Sequence, residues 1–260
     1  MTSKNTKFSG YKELLIELGK REIKARYKQS ILGYAWVILV PLINLIVLSI
    51  VFSFFIRVPT GDIPYPIFLF TALVPWMFTT NSISSATKSL LSNKSLITKI
   101  KIPREVFPLS SIMAKLVDFA LYLVILFVFI LIFGVKLHLT VLFFPLIFIF
   151  HLMLVIGVSF ILSALNVFYR DVENLLEVAL AAWMYLTPVL YPPELVPDKF
   201  RQIFNINPLT PIINSYRNVV LYGVAPPWQS FAYSAAFSVV IFILGYLYYR
   251  KRSRYFADVA

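Results

Sequence analysis

The side chains in this sequence that could do chemistry inside a membrane are a few ionisable groups at the ends of long apolar stretches. Lys115 and Asp118 are three residues apart, so on a helix they share a face and can form an ion pair. Glu177 could pair with Arg170 or with a lysine. Carboxylates at mid-span would indicate a proton pathway, but these groups stand near the membrane boundary. We therefore predict structural ion pairs rather than proton transport.

The sequence gives little indication of a metal-binding or nucleotide-binding site. His138 and His151 are far apart and have no ligand partner at a metal-site spacing, so we predict that His151 is a hydrogen-bonded packing residue. No G-x-x-x-x-G-K-[ST] phosphate loop occurs, and the absence of cysteine removes disulfides and thiol catalysis. The sequence thus predicts no catalytic residue, no metal site and no cofactor in this chain.

Aromatic side chains occur within the apolar stretches as well as at their ends. Trp183 and Tyr185 stand away from any expected membrane interface. An indole N–H or a phenol O–H at that depth needs a polar partner. A polar conduit, or a sugar stacked on the rings, would supply one, and ordinary packing is the alternative.

The composition requires lipid to cover most of the surface. The 260 residues are 59% hydrophobic and only 14% charged, and the mean hydropathy is +0.80. Soluble domains carry about 45–50% apolar and about 25% charged residues. We predict an all-α, polytopic membrane protein. Basic loops facing anionic lipid and the cytoplasm explain the formal charge of +12 better than a nucleic-acid partner does.

Apolar stretches near the roughly 20 residues that span a bilayer as a helix predict six spans. They lie at about residues 34–56, 67–86, 110–133, 141–165, 175–191 and 230–249. The fifth is the least regular, because Glu177 lies near its start and Pro188 near its end.

Lysine and arginine concentrate in alternate hydrophilic segments, at residues 4–28, 88–104, 170 and 250–254. The intervening segments hold few of them. The positive-inside rule then predicts that both termini face the cytoplasm, which agrees with an even number of spans.

Three segments outside the spans have a character of their own. Residues 1–33 precede a membrane domain of residues 34–260, and within them Tyr11, Leu14, Leu15 and Leu18 follow helical spacing, which predicts an amphipathic helix lying in the membrane interface. The cytoplasmic loop 88–104 mixes lysines with aliphatic residues, as expected of a short helix that docks on a partner or rests on the membrane. The external segment 192–228 is proline-rich and too long for a structureless loop, so we predict short re-entrant helices that form a gate.

Five stretches, in order along the chain, resemble the permease subunits of type-2 ABC exporters that serve bacterial cell-surface polysaccharides. They are REIKARYKQSILGYAWVILVPL (21–42), NKSLITKIKIPREVFPL (93–109), NVFYRDVENLLEV (166–178), YLTPVLYPPELVP with NPLTPIINSYRNVVLYG (185–197 and 207–223), and the tail YFADV (255–259). Together they thread almost the whole sequence, and they are most similar to the O-antigen and capsular polysaccharide permeases.

The resemblance implies a homodimer in the bacterial inner membrane with two separate cytoplasmic ATPase subunits, which would bind ATP and Mg²⁺. Residues 89–99 would form a coupling helix on the ATPase. The residues implied in this coupling are Ser89, Asn93, Leu96, Lys99, Arg104, Glu105, Arg170 and Asp171. Those of the interface helix are Tyr11, Leu14, Leu15, Leu18 and Arg26. Those predicted along the substrate pathway are Tyr34, Trp36, Trp183, Tyr185, Tyr191, Tyr216 and Arg217.

The resemblance implies export of a lipid-linked, O-antigen-like polysaccharide. Alternatives within the transporters are capsular polysaccharide, teichoic acid, a small lipid or a drug. The alternative that is not a transporter is a membrane-embedded glycosyl- or acyltransferase. Such an enzyme would need a pair of acidic residues or a histidine near the membrane interface. The acidic cluster Asp171, Glu173 and Glu177 lies beside Arg170, which favours an ion-pairing and docking role instead.

Overall fold

A computed structural model gives the fold. It describes residues 2–27, 32–33, 35–99 and 102–256, with the side chains of residues 2–10, 25–27 and 99 left aside. Tyr34 of the predicted pathway therefore lies outside the described residues, as do the side chains of Arg26 and Lys99 and the tail beyond Phe256.

Every regular element in the described part of the chain is a helix, which confirms the all-α prediction. The α-helices are α1 (Thr2–Tyr27), α2 (Ala35–Ile50), α3 (Tyr65–Ser92), α4 (Lys94–Lys99), α5 (Val106–Ile132), α6 (Phe144–Phe168), α7 (Val172–Tyr185), α8 (Asp198–Ile206), α9 (Leu209–Arg217) and α10 (Trp228–Arg252). π-helical turns extend α2 over Val51–Phe55 and α9 over Asn218–Tyr222. Short 3₁₀ turns lie at Leu139–Phe143, Pro193–Leu195 and Ser253–Tyr255.

Five of the described helices, including their flanking turns, are long and apolar enough to cross a membrane. They correspond to the first, second, third, fourth and sixth predicted spans. In the region of the fifth predicted span, 175–191, the only helix is α7, which begins before the span at Val172 and ends at Tyr185. Its 14 residues are about 21 Å long at 1.5 Å per residue. The helix stops before Pro188 because a residue that precedes proline is disfavoured in the α conformation.

Helix α3 is the hub of the bundle, and α5, α6, α7 and α9 pack around it. In its most apolar stretch 78% of the residues are buried, whereas the corresponding share in the other four long helices is 17–28%. The outer helices therefore leave apolar side chains uncovered, as expected where lipid is the surrounding solvent.

Helices α6 and α10 make the closest helix contact through two glycines. A Cβ built on Gly245 would stand 2.3 Å from the carbonyl oxygen of Gly157, and one built on Gly157 would stand 2.6 Å from the backbone of Ile241. Small residues at membrane helix contacts let the two backbones approach, and packing then holds the pair.

Replacing Gly245 by alanine is expected to lower the free energy of unfolding by about 1–3 kcal/mol, because the added methyl group meets rigid backbone. Thermal unfolding of the purified protein in detergent measures the loss. Gly19→Ala is the matched control, since its Cβ would meet its nearest neighbour at an ordinary 3.7 Å. Equal midpoints for the two variants would contradict this account of the contact.

The apolar side of α1 packs in part against protein. Leu18 is 9% exposed and belongs to an apolar cluster with Leu90, Phe107 and Phe256, while Tyr11 packs at its edge. Helix α1 contacts α5 along its length. The end of α3, the start of α5 and Phe256 together offer an apolar surface that covers Leu18.

Candidate functional site: a polar cluster at each end of the bundle

The corner between α3 and α4 is tied together by side-chain amide hydrogen bonds. Asn93 ends α3, and its Nδ2 donates to the carbonyl oxygen of Ser89 at 2.8 Å. Its Oδ1 accepts a hydrogen bond from Arg21 on α1. Ser89 and Asn93, two of the predicted coupling residues, are buried and hold the corner. The side chains that α4 exposes are Lys94, Ser95 and Thr98, with Leu96 half-buried.

An ion-pair cluster joins the same end of α3 to the start of α7. Lys88 Nζ lies 2.8 Å from a carboxylate oxygen of Glu173 and 3.2 Å from one of Glu177. The prediction that Glu177 pairs with a basic residue is confirmed, and the partner is Lys88. Arg170 and Asp171 lie exposed in the turn before α7.

The start of α5 and the end of α10 meet at this end as well. The Tyr249 hydroxyl donates to the carbonyl oxygen of Arg104 at 2.7 Å. Burial, together with the nearby Glu105 carboxylate, raises the pKa of the Tyr11 hydroxyl to about 12, so Tyr11 stays neutral at physiological pH. We call this assembly of α1, the end of α3, α4, the start of α5, the α6–α7 turn and the end of α10 the coupling end.

At the opposite end a buried arginine holds three segments together. Arg217 is 2% exposed, and its guanidinium donates to the carbonyl oxygens of Pro188 and Val189, both at 2.6 Å. It also stacks over the ring of Phe68 at 3.7 Å. The Tyr65 hydroxyl donates to the carbonyl oxygen of Leu190 at 2.7 Å. The turn after α7 is thus fastened to α3 and α9, and we call this region the gate end.

A second network fixes the end of α7 to the start of α9. Trp183 Nε1 donates to Oδ1 of Asn207 at 3.0 Å. Asn207 Nδ2 donates to the carbonyl oxygen of Leu186 at 2.9 Å and to the Thr187 hydroxyl at 2.8 Å. The polar partner that the indole of Trp183 requires is therefore an asparagine of the same chain.

The predicted pathway residues fall into two groups. Tyr216 and Arg217 are buried, whereas Tyr185 is 65% and Trp36 43% exposed. Tyr191 is half-buried, and its hydroxyl donates to the carbonyl oxygen of Tyr185 at 2.5 Å.

His151 is a satisfied packing residue, as predicted. Its Nε2 lies 2.7 Å from the Thr79 hydroxyl and its Nδ1 3.3 Å from the Tyr216 hydroxyl. The Thr79 hydroxyl already donates to the carbonyl oxygen of Pro75, which favours the tautomer that carries its proton on Nε2. The predicted pair of Lys115 and Asp118 is present at 3.4 Å, and no group of three possible metal ligands occurs among the described residues.

Comparison with known proteins identifies the type of molecule. The family model for the ABC-2 type transporter matches residues 13–221. The chain belongs to this family. The chain is 32% identical over 249 residues to the O-antigen export system permease protein RfbA of Klebsiella pneumoniae and 30% identical over 251 residues to the protein of that name from Myxococcus xanthus, with 95% of each chain covered. It is 24% identical to the polysialic acid transport protein KpsM of Escherichia coli, over 89% of this chain and 90% of that protein.

The bridging roles of Lys88 and Asn207 in this ABC-2 type transporter were missed by the sequence analysis. Lys88 was assigned only to the basic loop, although Glu173 and Glu177, at i and i+4, offered one helix face to a cation. Asn207 precedes the proline that begins a short helix, a position where side-chain amides cap backbone N–H groups. Its Oδ1 accepts from the Leu209 N–H at 3.1 Å.

The structure predicts that the two aromatics of α7 respond differently to truncation. Trp183→Ala is expected to lower the free energy of unfolding by about 2–4 kcal/mol, because it removes a large packed ring and one hydrogen bond. Tyr185→Ala is expected to change it by less than about 1 kcal/mol, because the side chain is exposed. Unfolding of the two variants in detergent measures both. A more damaging Tyr185→Ala would contradict these roles.

Proposed function

We propose that the chain is the membrane-spanning subunit of an ATP-driven exporter that moves a lipid-linked, O-antigen-like polysaccharide from the cytoplasm across the bacterial inner membrane. It would act as a homodimer with two separate ATPase subunits that bind ATP and Mg²⁺. The observation that carries the proposal is the match to two O-antigen export permeases over 95% of each chain.

The path of α7 supports six crossings. Asn166, near the end of α6, donates to the carbonyl oxygen of Thr87, so α6 ends at the coupling end. Helix α10 also ends there, beside Arg104, so it begins at the gate end. The chain must cross between them. Glu173 touches the coupling end and Trp183 the gate end, so α7 makes this crossing, and the turn that follows it completes the distance.

The charge distribution supports a cytoplasmic coupling end. Lys88, Lys94, Arg104 and Arg170 lie there, together with the basic end of α10 over residues 250–254. By the positive-inside rule this end faces the cytoplasm. The N-terminal helix and Phe256 both pack there, so both termini share that side, and α8 and α9 stand at the external side as gate helices.

The side-chain contacts of α7 could transmit a movement from the ATPase-docking surface to the gate end. An ATPase pair docked on the exposed side of α4 would move the α3–α4 corner. Lys88 passes this motion to Glu173 and Glu177 on α7. At its far end α7 is held through Trp183 to Asn207 and through its turn to Arg217. The coupling end and the gate end would then change conformation together, as in proteins where a helix shifts between two discrete packing arrangements.

Complementation tests the proposed function. The chain and its ATPase are expressed in a strain that makes lipid-linked O-antigen but lacks its own export permease. We expect polymer on the cell surface when both are present and intracellular polymer when either is missing. Intracellular polymer with both present would overturn the proposal.

Capsular polysaccharide is the second candidate, favoured by the likeness to the polysialic acid transport protein. The same experiment in a capsule-producing strain separates the two. Teichoic acid, small lipids and drugs are the remaining transporter alternatives. The transferase alternative loses support, because Glu173 and Glu177 are engaged by Lys88.

A further inference from the structure

A cleft of about 620 Å³ opens between α8 and the start of α10, outside the two hydrogen-bond networks of the gate end. Its lining residues are Asn205, Pro227, Trp228, Gln229, Ser230 and Tyr233. This volume falls within the range of about 300–1,000 Å³ that is usual for small-molecule sites. The cleft lies beside the gate end, since Asn205 is two residues before Asn207.

The two aromatic rings of the cleft are held in place while part of each ring stays open. The Tyr233 hydroxyl donates to the carbonyl oxygen of Ile206 at 3.0 Å, which joins α10 to the end of α8. Trp228 meets the ring of Phe143 edge to face, with ring centres 5.3 Å apart. Even so, Trp228 is 49% and Tyr233 41% exposed. Rings fixed in this way offer contact area at little cost in conformational entropy.

The chemistry of the lining suits a neutral, hydroxyl-rich ligand with an apolar ring face. Asn205 and Gln229 each offer one amide oxygen as acceptor and one NH₂ group as donor, which matches neighbouring hydroxyls of a pyranose. Trp228 and Tyr233 offer aromatic surface to the C–H faces of the sugar. An interfacial aromatic belt would account for the rings, but it does not account for two exposed amides in a concave site. The lining side chains carry no charge, which disfavours an anionic lipid headgroup.

A second cleft adjoins the first and leads toward the gate end. It measures about 570 Å³, shares Pro227 with the first, and is lined by Asn214, Asn218, Tyr222 and Arg217 among others. Two adjoining clefts suit a polymer better than a single small molecule, because successive sugar units can occupy them together.

We infer that the cleft between Asn205, Trp228, Gln229 and Tyr233 is a saccharide-binding subsite that receives the sugar chain as it leaves the gate end. This inference rests on the proposed export function. It adds a contact for the polymer outside the transmembrane path.

Photo-crosslinking in exporting cells tests the subsite for any sugar composition of the polymer. A photoreactive amino acid replaces Gln229 in the full complex, and the same amino acid at Gln202, exposed on α8 outside the cleft, is the matched control. We expect a high-mass adduct that stains for carbohydrate at Gln229 and none at Gln202. An adduct with the mass of a lipid, an adduct with the mass of a second copy of the chain, or no adduct overturns the inference.

Paired amide substitutions give an independent measurement. Asn205→Ala combined with Gln229→Ala is expected to lower the export rate about tenfold to a hundredfold, since each lost neutral hydrogen bond weakens binding about threefold to tenfold and the variant loses two. Gln202→Ala is expected to match wild type. If wild type itself exports no polysaccharide, the proposed function fails. If wild type exports and the double variant equals it, only the subsite fails.

Discussion

Replacing Arg217 by methionine is expected to abolish export and to lower the free energy of unfolding by about 3 kcal/mol. The change leaves the carbonyl oxygens of Pro188 and Val189 buried without their donor, and each such group costs about 1–3 kcal/mol. Relief of the buried charge offsets part of this loss. The turn that fastens α7 to α3 and α9 would loosen, and the gate end with it.

Two further substitutions make the Arg217 result specific. Arg201→Met removes an arginine of the same external segment that forms only an exposed pair with Asp198 at 2.9 Å, so its loss is expected to cost under about 1 kcal/mol. Arg217→Lys keeps the charge but lacks the planar fork that reaches two carbonyls, so it is expected to rescue little. Wild-type unfolding and export in Arg217→Met would contradict the assigned role.

A tryptophan at Ser95 is expected to uncouple ATP hydrolysis from export. Ser95 lies exposed on α4, so the larger side chain fits without disturbing the bundle but obstructs a docked ATPase. We expect polymer-stimulated ATP turnover to fall about tenfold or more, which corresponds to a coupling free energy of about 1–3 kcal/mol. Turnover by the purified complex in proteoliposomes measures the change.

The control for Ser95→Trp adds the same bulk at the opposite end. Gln202→Trp on α8 is expected to leave ATP turnover close to wild type. Unfolding midpoints of both variants should equal that of wild type, which separates uncoupling from misfolding. Unchanged polymer-stimulated turnover in Ser95→Trp would remove α4 from the docking surface. Three of the predicted coupling residues, Lys99, Arg104 and Arg170, would then be tested in the same assay.

Local patterns in the sequence were sufficient for several features. Helical spacing placed Lys115 and Asp118 on one face, and they pair. Burial of a lone histidine predicted hydrogen-bonded packing for His151, and it has two partners. Each of these features depends on a single helix or a single buried group. Local residue spacing and hydropathy in the sequence are therefore enough to predict it.

Features that depend on contacts between segments far apart in the sequence could not be predicted from such local patterns. The apolar side of α1 could rest on lipid or on protein, and only the fold supplies the surface that covers Leu18. The partners of Arg217 and Tyr216, which the sequence predicted along the substrate pathway, also come from distant segments. Arg217 donates to carbonyl groups about 30 residues away along the chain, and Tyr216 lies beside His151. Hydropathy also counted residues 175–191 as one helix, although Pro188 ends α7 early.

The most direct test of the central claim is ATP-driven transport of polymer by the reconstituted complex. Proteoliposomes that carry the chain and its ATPase with their cytoplasmic side outward receive radiolabelled, lipid-linked O-antigen in the outer leaflet, followed by ATP and Mg²⁺. A glycan-degrading enzyme added outside then reports how much polymer remains accessible. We predict that polymer becomes protected only when ATP is hydrolysed and both subunits are present. Polymer that stays fully accessible under these conditions would contradict the account.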